Sequence, residues 1–219
     1  MEEQVSYVHS DKDSEHFGEI SHIINYIEQH SSLGILSIED LIKKIKKTQE
    51  EGYELKKEDM NIGSGSKYPA GALSNFSPHP FIIDDVKCSS MEGFLQALKF
   101  KSIEMQAEVC TLVGRAAKSK GRHKNWQRTQ ILYWKGEEIA RNSDRYQELL
   151  DQAFLAMLEQ SGSFKRALVA SGNAVLTHTI GKNKINDTVL TVREFCSRLT
   201  KLREKMKEEK KGNQTKIEF

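Results

Sequence analysis

Three polar residues in the middle of the chain have the types and spacing needed to act on a bound ligand. Glu92, Gln96 and Lys99 are separated by four and then three residues, so on a helix they share one face. A carboxylate and an ammonium group on one face, beside an apolar stripe, can act together on one ligand. A second interpretation stays open, because Ser89 and Glu92 also have the spacing of a capping box. That box would commit the Glu92 carboxylate to the helix start.

Two further segments carry side chains suited to ligand binding. Asn75 and Phe76 lie in a loop upstream, where an amide and a ring can hold a sugar or stack on a base; ordinary turn chemistry is the alternative. No acidic residue occurs between Glu108 and Glu137, while Lys and Arg are frequent there around Trp126. Such a stretch is typical of a site for phosphate or a nucleic-acid strand, or else of a solvated basic helix face.

His178 lies in a polar loop, LTHTIGKN, with a glycine and an asparagine close behind it. A single histidine without a Ser, Cys or metal-ligand partner at a set spacing is weak evidence for catalysis. The following Gly-Lys-Asn is not a phosphate-binding P-loop, because the upstream glycine and the Ser or Thr after the lysine are missing.

Composition excludes several classes of protein. The 219 residues carry 33 Lys and Arg against 31 Asp and Glu, so the chain as a whole is not a strongly basic nucleic-acid binder. No apolar run has the length that a membrane span needs, and no secretory signal begins the sequence. The three cysteines are far apart, which predicts neither a disulfide framework nor a zinc site. We therefore expect a cytoplasmic protein without membrane association, bound metal or cofactor.

The elements that must position these residues are mainly helical. Apolar residues recur at helical spacing along most of the chain, and two short apolar runs turn at Asp84–Asp85 and at Lys135–Gly136. This pattern predicts an α+β fold, dominated by helices, with two small β-hairpins. A capping box formed by Thr191 and Glu194 predicts where the last helix begins.

The chain divides into three parts by composition. Residues 1–66 predict an appended helical segment that ends in a flexible connector, GSGS. Residues 67–205 contain the main domain, and residues 206–219 form a charged C-terminal tail. The role of the first segment and the oligomeric state do not follow from the sequence.

The segment at residues 73–100, LSNFSPHPFIIDDVKCSSMEGFLQALKF, resembles the signature of the NADAR (YbiA-like) family. That signature is a Ser-Asn-Phe loop, a short hairpin, and a helix with Glu, an aromatic residue, Gln-Ala and Lys-Phe. The resemblance continues at Gly114–Arg115, at 124–126 and in the GKN of 181–183. It covers about residues 67–205.

The resemblance implies hydrolysis of an N-glycosidic bond to ribose, and in some members the removal of ADP-ribose from guanine bases. By position, Glu92 matches the catalytic glutamate of the family and Lys99 its helix lysine. The partner implied is an ADP-ribosylated nucleobase or nucleic acid as substrate. The ligand-binding residues predicted in this way are Asn75, Phe76, Gln96, Arg115, Trp126, His178 and Asn183.

Two departures from the family pattern bear on the substrate. The residue after the glutamate, usually His, is Gly93, and an Asp-x-x-Trp-Gly segment is missing between His178 and the GKN at 181–183; Asp187 is a possible replacement acid. Two alternatives therefore stand beside the ADP-ribosyl hydrolase. One is an N-glycosidase of phosphorylated ribosyl intermediates of riboflavin synthesis, and the other is a non-catalytic sensor of ADP-ribose or NAD.

Overall fold

A computed structural model describes residues 59–214 of the chain. The predicted helices of the first segment lie outside these residues. Within the described part, no helix is both long and apolar enough to cross a membrane. The same residues contain no cluster of three His, Cys, Asp or Glu side chains arranged to hold a metal ion.

Seven helices and six short strands make up the described part of the chain. The helices are α1 Met91–Ala97, α2 Ile103–Cys110, α3 Gly114–Gly121, α4 Trp126–Thr129, α5 Asp144–Gln160, α6 Gly162–Ala170 and α7 Val192–Gln214. The strands are β1 Asp59–Asn61, β2 Phe81–Ile83, β3 Val86–Cys88, β4 Ile131–Trp134, β5 Glu137–Ala140 and β6 Val175–Thr177. A 3₁₀ turn at Ile185–Asp187 precedes α7. The predicted helix-dominated α+β fold is confirmed.

Both predicted hairpins form at the predicted turns. β2 pairs antiparallel with β3, and β4 pairs antiparallel with β5. The turn residues Asp84 and Asp85 have φ of 47° and 64°, and Lys135 and Gly136 have 46° and 87°. Positive φ at both central positions is the backbone conformation that matches the right-handed twist of the flanking strands.

A third sheet, which the sequence did not predict, joins β1 to β6 in parallel. It places β1 and the fully buried Ile62 in the packed unit, upstream of the predicted boundary at 66/67. The residues of the predicted flexible connector form a turn, in which the Ser66 amide donates to the Gly63 carbonyl over 3.0 Å. At the other end, α7 continues to Gln214, past the predicted end of the domain at 205, and Met206 is buried.

Helix α1 lies at the centre of the core. All of its residues are buried, and it packs against α2, α3 and α5. The Phe94 ring meets Phe81 and Trp134 edge-on, with ring centroids 6.2 and 5.1 Å apart. Each such buried aromatic or aliphatic side chain stabilises the fold by about 1.5–3 kcal/mol. Because α1 is buried along its whole length, its two polar side chains, Glu92 and Gln96, are held in the interior.

Candidate functional site

The Glu92 carboxylate is free of the backbone at the start of α1. Ser90, not Ser89, is the N-cap, and its hydroxyl accepts a hydrogen bond from the Gly93 amide over 3.0 Å. The capping box between Ser89 and Glu92 is therefore not formed, and that interpretation is wrong. The Glu92 amide donates instead to the Asn75 carbonyl over 2.9 Å, which ties the helix start to the Ser-Asn-Phe loop.

The three residues that were predicted to share a helix face are linked by hydrogen bonds. The Gln96 amide nitrogen donates to Glu92 Oε1 over 2.8 Å, and Lys99 Nζ donates to Gln96 Oε1 over 2.7 Å. The Gln96 amide is thereby fixed in one orientation, with its nitrogen toward the carboxylate and its oxygen toward the ammonium group. Glu92 and Gln96 are 4% and 1% exposed, so this chain of contacts is shielded from bulk water.

The surroundings of Lys99 disfavour the charged form of its side chain. Burial lowers its pKa most, the neighbouring Lys118 ammonium lowers it as well, and Glu92 opposes both effects; together they bring the pKa of Lys99 to about 8. The group is thus still mostly protonated at neutral pH but loses its proton in the mildly alkaline range.

A second cation reaches Glu92 from α3. Lys118 Nζ lies 3.3 Å from Glu92 Oε1, the same oxygen that accepts from Gln96, and its side chain is 55% exposed. No residue of the described part of the chain hydrogen-bonds to Glu92 Oε2. One carboxylate oxygen is therefore fixed in place, while the other is available to a ligand or a water molecule.

Glycine residues allow the backbones around α1 to approach closely. A Cβ on Gly121 would lie 2.0 Å from Gln96 Oε1, so only glycine leaves room for the Gln96 side chain beside α3. A Cβ on Gly93 would lie 2.6 Å from the Leu112 carbonyl and 2.9 Å from that of Cys110. This contact with the end of α2 gives a physical reason why the histidine usual in the NADAR family is absent at position 93.

Glu92 lines a cavity of about 510 Å³, a size within the range of small-molecule sites. Its walls come from the Ser74–Phe76 loop, from α1, from α3 and the residues after it, and from the segment between β6 and α7. His79 anchors the first of these walls: its Nε2 lies 2.6 Å from the Ala72 carbonyl, and its Nδ1 lies 3.0 Å from Ser163 Oγ. The loop that carries Asn75 and Phe76 is thus fixed to the start of α6.

Seven of the predicted site residues line this cavity together. They are Asn75, Phe76, Glu92, Gln96, Lys99, Trp126 and His178. Arg115 and Asn183 are exposed and do not line it. Arg115 lies in the first turn of α3, one turn before Lys118, and the resemblance gave its position in the sequence but not the direction of its side chain.

Several residues that line the cavity were not predicted from the sequence. Lys118 and Arg122 lie four residues apart in the basic stretch, a spacing that could have indicated one shared helix face. Lys182 and Asp187 line the cavity as well, so the acid considered as a replacement for the missing segment is at the site. No sequence pattern indicated that Thr188–Thr191 form a wall of the cavity, because their place there depends on the path of the backbone.

The basic stretch does not form one continuous cationic surface. Lys118 and Arg122 line the cavity, whereas Lys120 pairs with Glu108 over 2.7 Å. Lys124 lies over the Phe100 ring, 4.4 Å from its centroid. Its positive charges are therefore divided between the cavity and separate contacts on the surface.

His178 is held by the backbone at the edge of the cavity. Its Nδ1 lies 2.7 Å from the Ile62 carbonyl, so Nδ1 carries the proton that it donates, and its ring meets Phe195 edge-on. The adjacent Thr179 exchanges two hydrogen bonds of 3.0 Å with the Asn61 side chain. The loop after β6 is thereby fastened to β1.

Comparison with solved structures places this fold among the NADAR (YbiA-like) proteins. The NMR structure of the E. coli protein YbiA superposes with a TM-score of 0.50, covering 71% of this chain and 89% of YbiA, at 20% sequence identity. At that identity the likeness concerns the fold alone. The resemblance predicted from the 73–100 segment is confirmed at this level.

The sequence comparisons define the family more narrowly. Residues 67–204 match the family described as bacteriophage protein GP30.3. A relative from Enterobacteria phage T4, described as an uncharacterized 17.1 kDa protein in the Gp30-rIII intergenic region, is 36% identical over 152 residues. That alignment covers 68% of this chain and 99% of the phage protein. The chain belongs to the bacteriophage GP30.3 family.

Proposed function

We propose that this protein is an N-glycoside hydrolase that removes ADP-ribose from a nucleobase, either guanine in DNA or a guanine nucleotide. The observation that carries the proposal is the state of Glu92 in the cavity. Its carboxylate is nearly buried, one oxygen is fixed by Gln96 and Lys118, and the other accepts no hydrogen bond from the described residues. A carboxylate held in this way is suited to stabilise a developing positive charge.

Cleavage of the bond between ribose C1′ and a base nitrogen builds positive charge on the sugar ring. Glu92 stabilises that charge and accepts a proton from the attacking water, whose oxygen forms the new bond to C1′. The electron pair of the broken bond leaves with the base, which takes up a proton from the solvent, and Glu92 releases to the solvent the proton that it accepted. The fixed oxygen of Glu92 maintains its orientation while the other oxygen contacts the water.

The cations around Glu92 are suited to the diphosphate of ADP-ribose. Lys99, Lys118, Arg122 and Lys182 line the same cavity, and Arg122 can bind a phosphate through two parallel hydrogen bonds. Phe76 and Trp126 provide aromatic rings in the same cavity, on which a base can stack. These groups supply binding for the charged and the planar parts of the substrate.

A second candidate is an N-glycosidase of small phosphorylated ribosyl nucleotides, such as the intermediates of riboflavin synthesis. The division of the basic stretch favours it, because the cations inside the cavity suffice for a small phosphorylated ligand. Reversal of two exposed charges outside the cavity, Arg115→Glu with Arg128→Glu, distinguishes a polynucleotide substrate from any small nucleotide substrate. If the substrate is a polynucleotide, we expect turnover on an oligonucleotide to fall while turnover on a mononucleotide is unchanged.

The direct test is incubation of the protein with an oligonucleotide that carries ADP-ribose on guanine, followed by chromatographic detection of free ADP-ribose. We expect its release together with the unmodified oligonucleotide. Tight binding of ADP-ribose without release would favour the non-catalytic sensor. Absence of both binding and release would overturn the proposal.

A further inference from the structure

One wall of the cavity, the segment Thr188–Thr191, has no regular secondary structure of its own. It connects the 3₁₀ turn Ile185–Asp187 to α7, and all four of its residues line the cavity. Its internal hydrogen bonds are limited to those of the Thr188 hydroxyl, which donates to the Leu190 carbonyl over 2.9 Å and accepts from the Leu190 amide over 3.3 Å. The position of this segment therefore depends on hydrogen bonds from other parts of the fold.

Two fully buried side chains hold its carbonyl groups. Arg141, directly after β5, donates from Nε to the Thr188 carbonyl over 2.9 Å. The Tyr146 hydroxyl, on α5, donates to the Val189 carbonyl over 2.5 Å. The Arg141 guanidinium also lies over the Tyr146 ring, 4.8 Å from its centroid, so the two side chains brace each other.

Glu194, in the first turn of α7, completes the arrangement. Its carboxylate accepts from both terminal nitrogens of Arg141, over 3.0 and 2.6 Å, and from the Thr191 amide over 2.7 Å. The capping box predicted from the sequence is confirmed, since the Glu194 amide also donates to Thr191 Oγ1 over 3.1 Å. Burial raises the pKa of Glu194, but these hydrogen bonds outweigh it, and the pKa lies below its ordinary value.

A buried guanidinium is costly to desolvate, and well-packed apolar residues often stabilise a core as well or better. The planar guanidinium contributes fixed geometry rather than stability, because it donates to a carbonyl and to a carboxylate at the same time. Here both contacts end on the cavity wall or on its helix cap.

We propose that Arg141 and Tyr146 are positioning residues that fix the wall Thr188–Thr191 and so set the affinity of the cavity for its ligand. The identity of that ligand rests on the proposed function. The positioning itself does not, because it can be measured on the free protein.

The test compares Tyr146→Phe, which removes one hydroxyl, with Ser171→Ala, a matched control. Ser171 is also buried, accepts from Arg203 over 3.0 Å, donates to the Leu168 carbonyl over 2.7 Å, and does not line the cavity. Both variants lose a buried hydroxyl and its hydrogen bonds. Arg141→Lys, which keeps the charge but not the planar fork, serves as a second test variant.

Two measurements are made on each variant. Amide hydrogen exchange at Leu190 and Thr191 should be faster in Tyr146→Phe and Arg141→Lys, and unchanged in Ser171→Ala. In Tyr146→Phe, KM for the ADP-ribosylated oligonucleotide should rise roughly three- to tenfold with a smaller change in kcat, because a neutral hydrogen bond is lost. In Arg141→Lys, KM should rise by at least as much, because hydrogen bonds from a charged guanidinium are lost.

Exchange that is unchanged in the wall of both test variants would overturn the inference. So would faster exchange with unchanged KM, or an equal rise of KM in Ser171→Ala. If wild-type protein neither binds nor cleaves the substrate, the proposed function fails, and the exchange data alone then decide whether Arg141 and Tyr146 fix the wall.

Discussion

The protonation state of Lys99 makes the positive charge of the cavity depend on pH. Its ammonium group donates to Gln96 Oε1, and Gln96 in turn orients Glu92. A buried lysine titrates below its usual range because burial disfavours the charged form. Loss of that proton would remove one positive charge from the cavity and would turn the charge-assisted hydrogen bond to Gln96 into a weaker, neutral one.

We therefore expect kcat/KM to fall above about pH 8, the pKa of Lys99, because the ammonium form is the active one. Lys99→Arg should abolish this alkaline limb, since an arginine stays protonated over the whole range. Lys118→Met should move the limb to higher pH, because Lys118 lowers the Lys99 pKa. A pH–rate profile with the same limb in all three proteins would contradict this role of Lys99.

At the residue scale, the sequence predicted the shared face of Glu92, Gln96 and Lys99 because helical periodicity follows from spacing alone. It did not resolve whether Glu92 was committed to a cap. Ser89 and Ser90 are both good N-cap residues, and only the backbone geometry selects Ser90. The orientation of the Arg115 side chain could not be predicted either, because it depends on where α3 begins relative to the cavity.

The contact between α1 and α3 shows how one element supports the site on another. Gly121 gives Gln96 the space to reach Glu92, and its carbonyl lies 3.4 Å from Lys99 Nζ. Because Gln96 is buried and its amide is hydrogen-bonded at both ends, a shift of its side chain would break the contacts that orient Glu92.

Gly121→Ala should therefore displace Gln96 and reduce kcat about tenfold or more, since loss of oriented contacts at a catalytic group has effects of this size. Gly65→Ala is the matched control, because a Cβ at Gly65 meets no atom within 4 Å. Steady-state kinetics and thermal unfolding of both variants make the comparison. Wild-type kcat in a folded Gly121→Ala protein would contradict the role given to this glycine.

The elements themselves differed in how far they could be predicted. The two hairpins could be predicted because their turn residues, Asp84–Asp85 and Lys135–Gly136, lie directly between the paired strands. The parallel pair of β1 and β6 has no such local signal, because its strands are three residues long and far apart in the chain. A pairing of that kind is fixed by the packing of the whole domain.

At the scale of the molecule, β1 and Ile62 connect the start of the described chain to the edge of the cavity. Ile62 is fully buried, its amide donates to the Thr177 carbonyl over 2.8 Å, and its own carbonyl lies 2.7 Å from His178 Nδ1. The predicted domain start at residue 67 omits this strand.

A chain that begins at Gly63 should be less stable than one that begins at Asp59. Removal of the buried Ile62 side chain alone costs about 1.5–3 kcal/mol of unfolding free energy, and loss of the β1–β6 pairing adds to that cost. Denaturant unfolding of both truncated proteins measures the difference. Equal midpoints and slopes would show that β1 does not contribute to the stability of the domain.

The proposed function depends on the Glu92 carboxylate, which would assist cleavage of the bond between ribose and base. The most direct measurement is the single-turnover rate of ADP-ribose release from an ADP-ribosylated oligonucleotide by Glu92→Gln, beside Glu148→Gln as a control at an exposed position outside the cavity. Because a positioned carboxylate contributes about 100-fold or more, we expect a loss of that size in Glu92→Gln and the wild-type rate in Glu148→Gln. Release by a folded Glu92→Gln protein at the wild-type rate would contradict the claim.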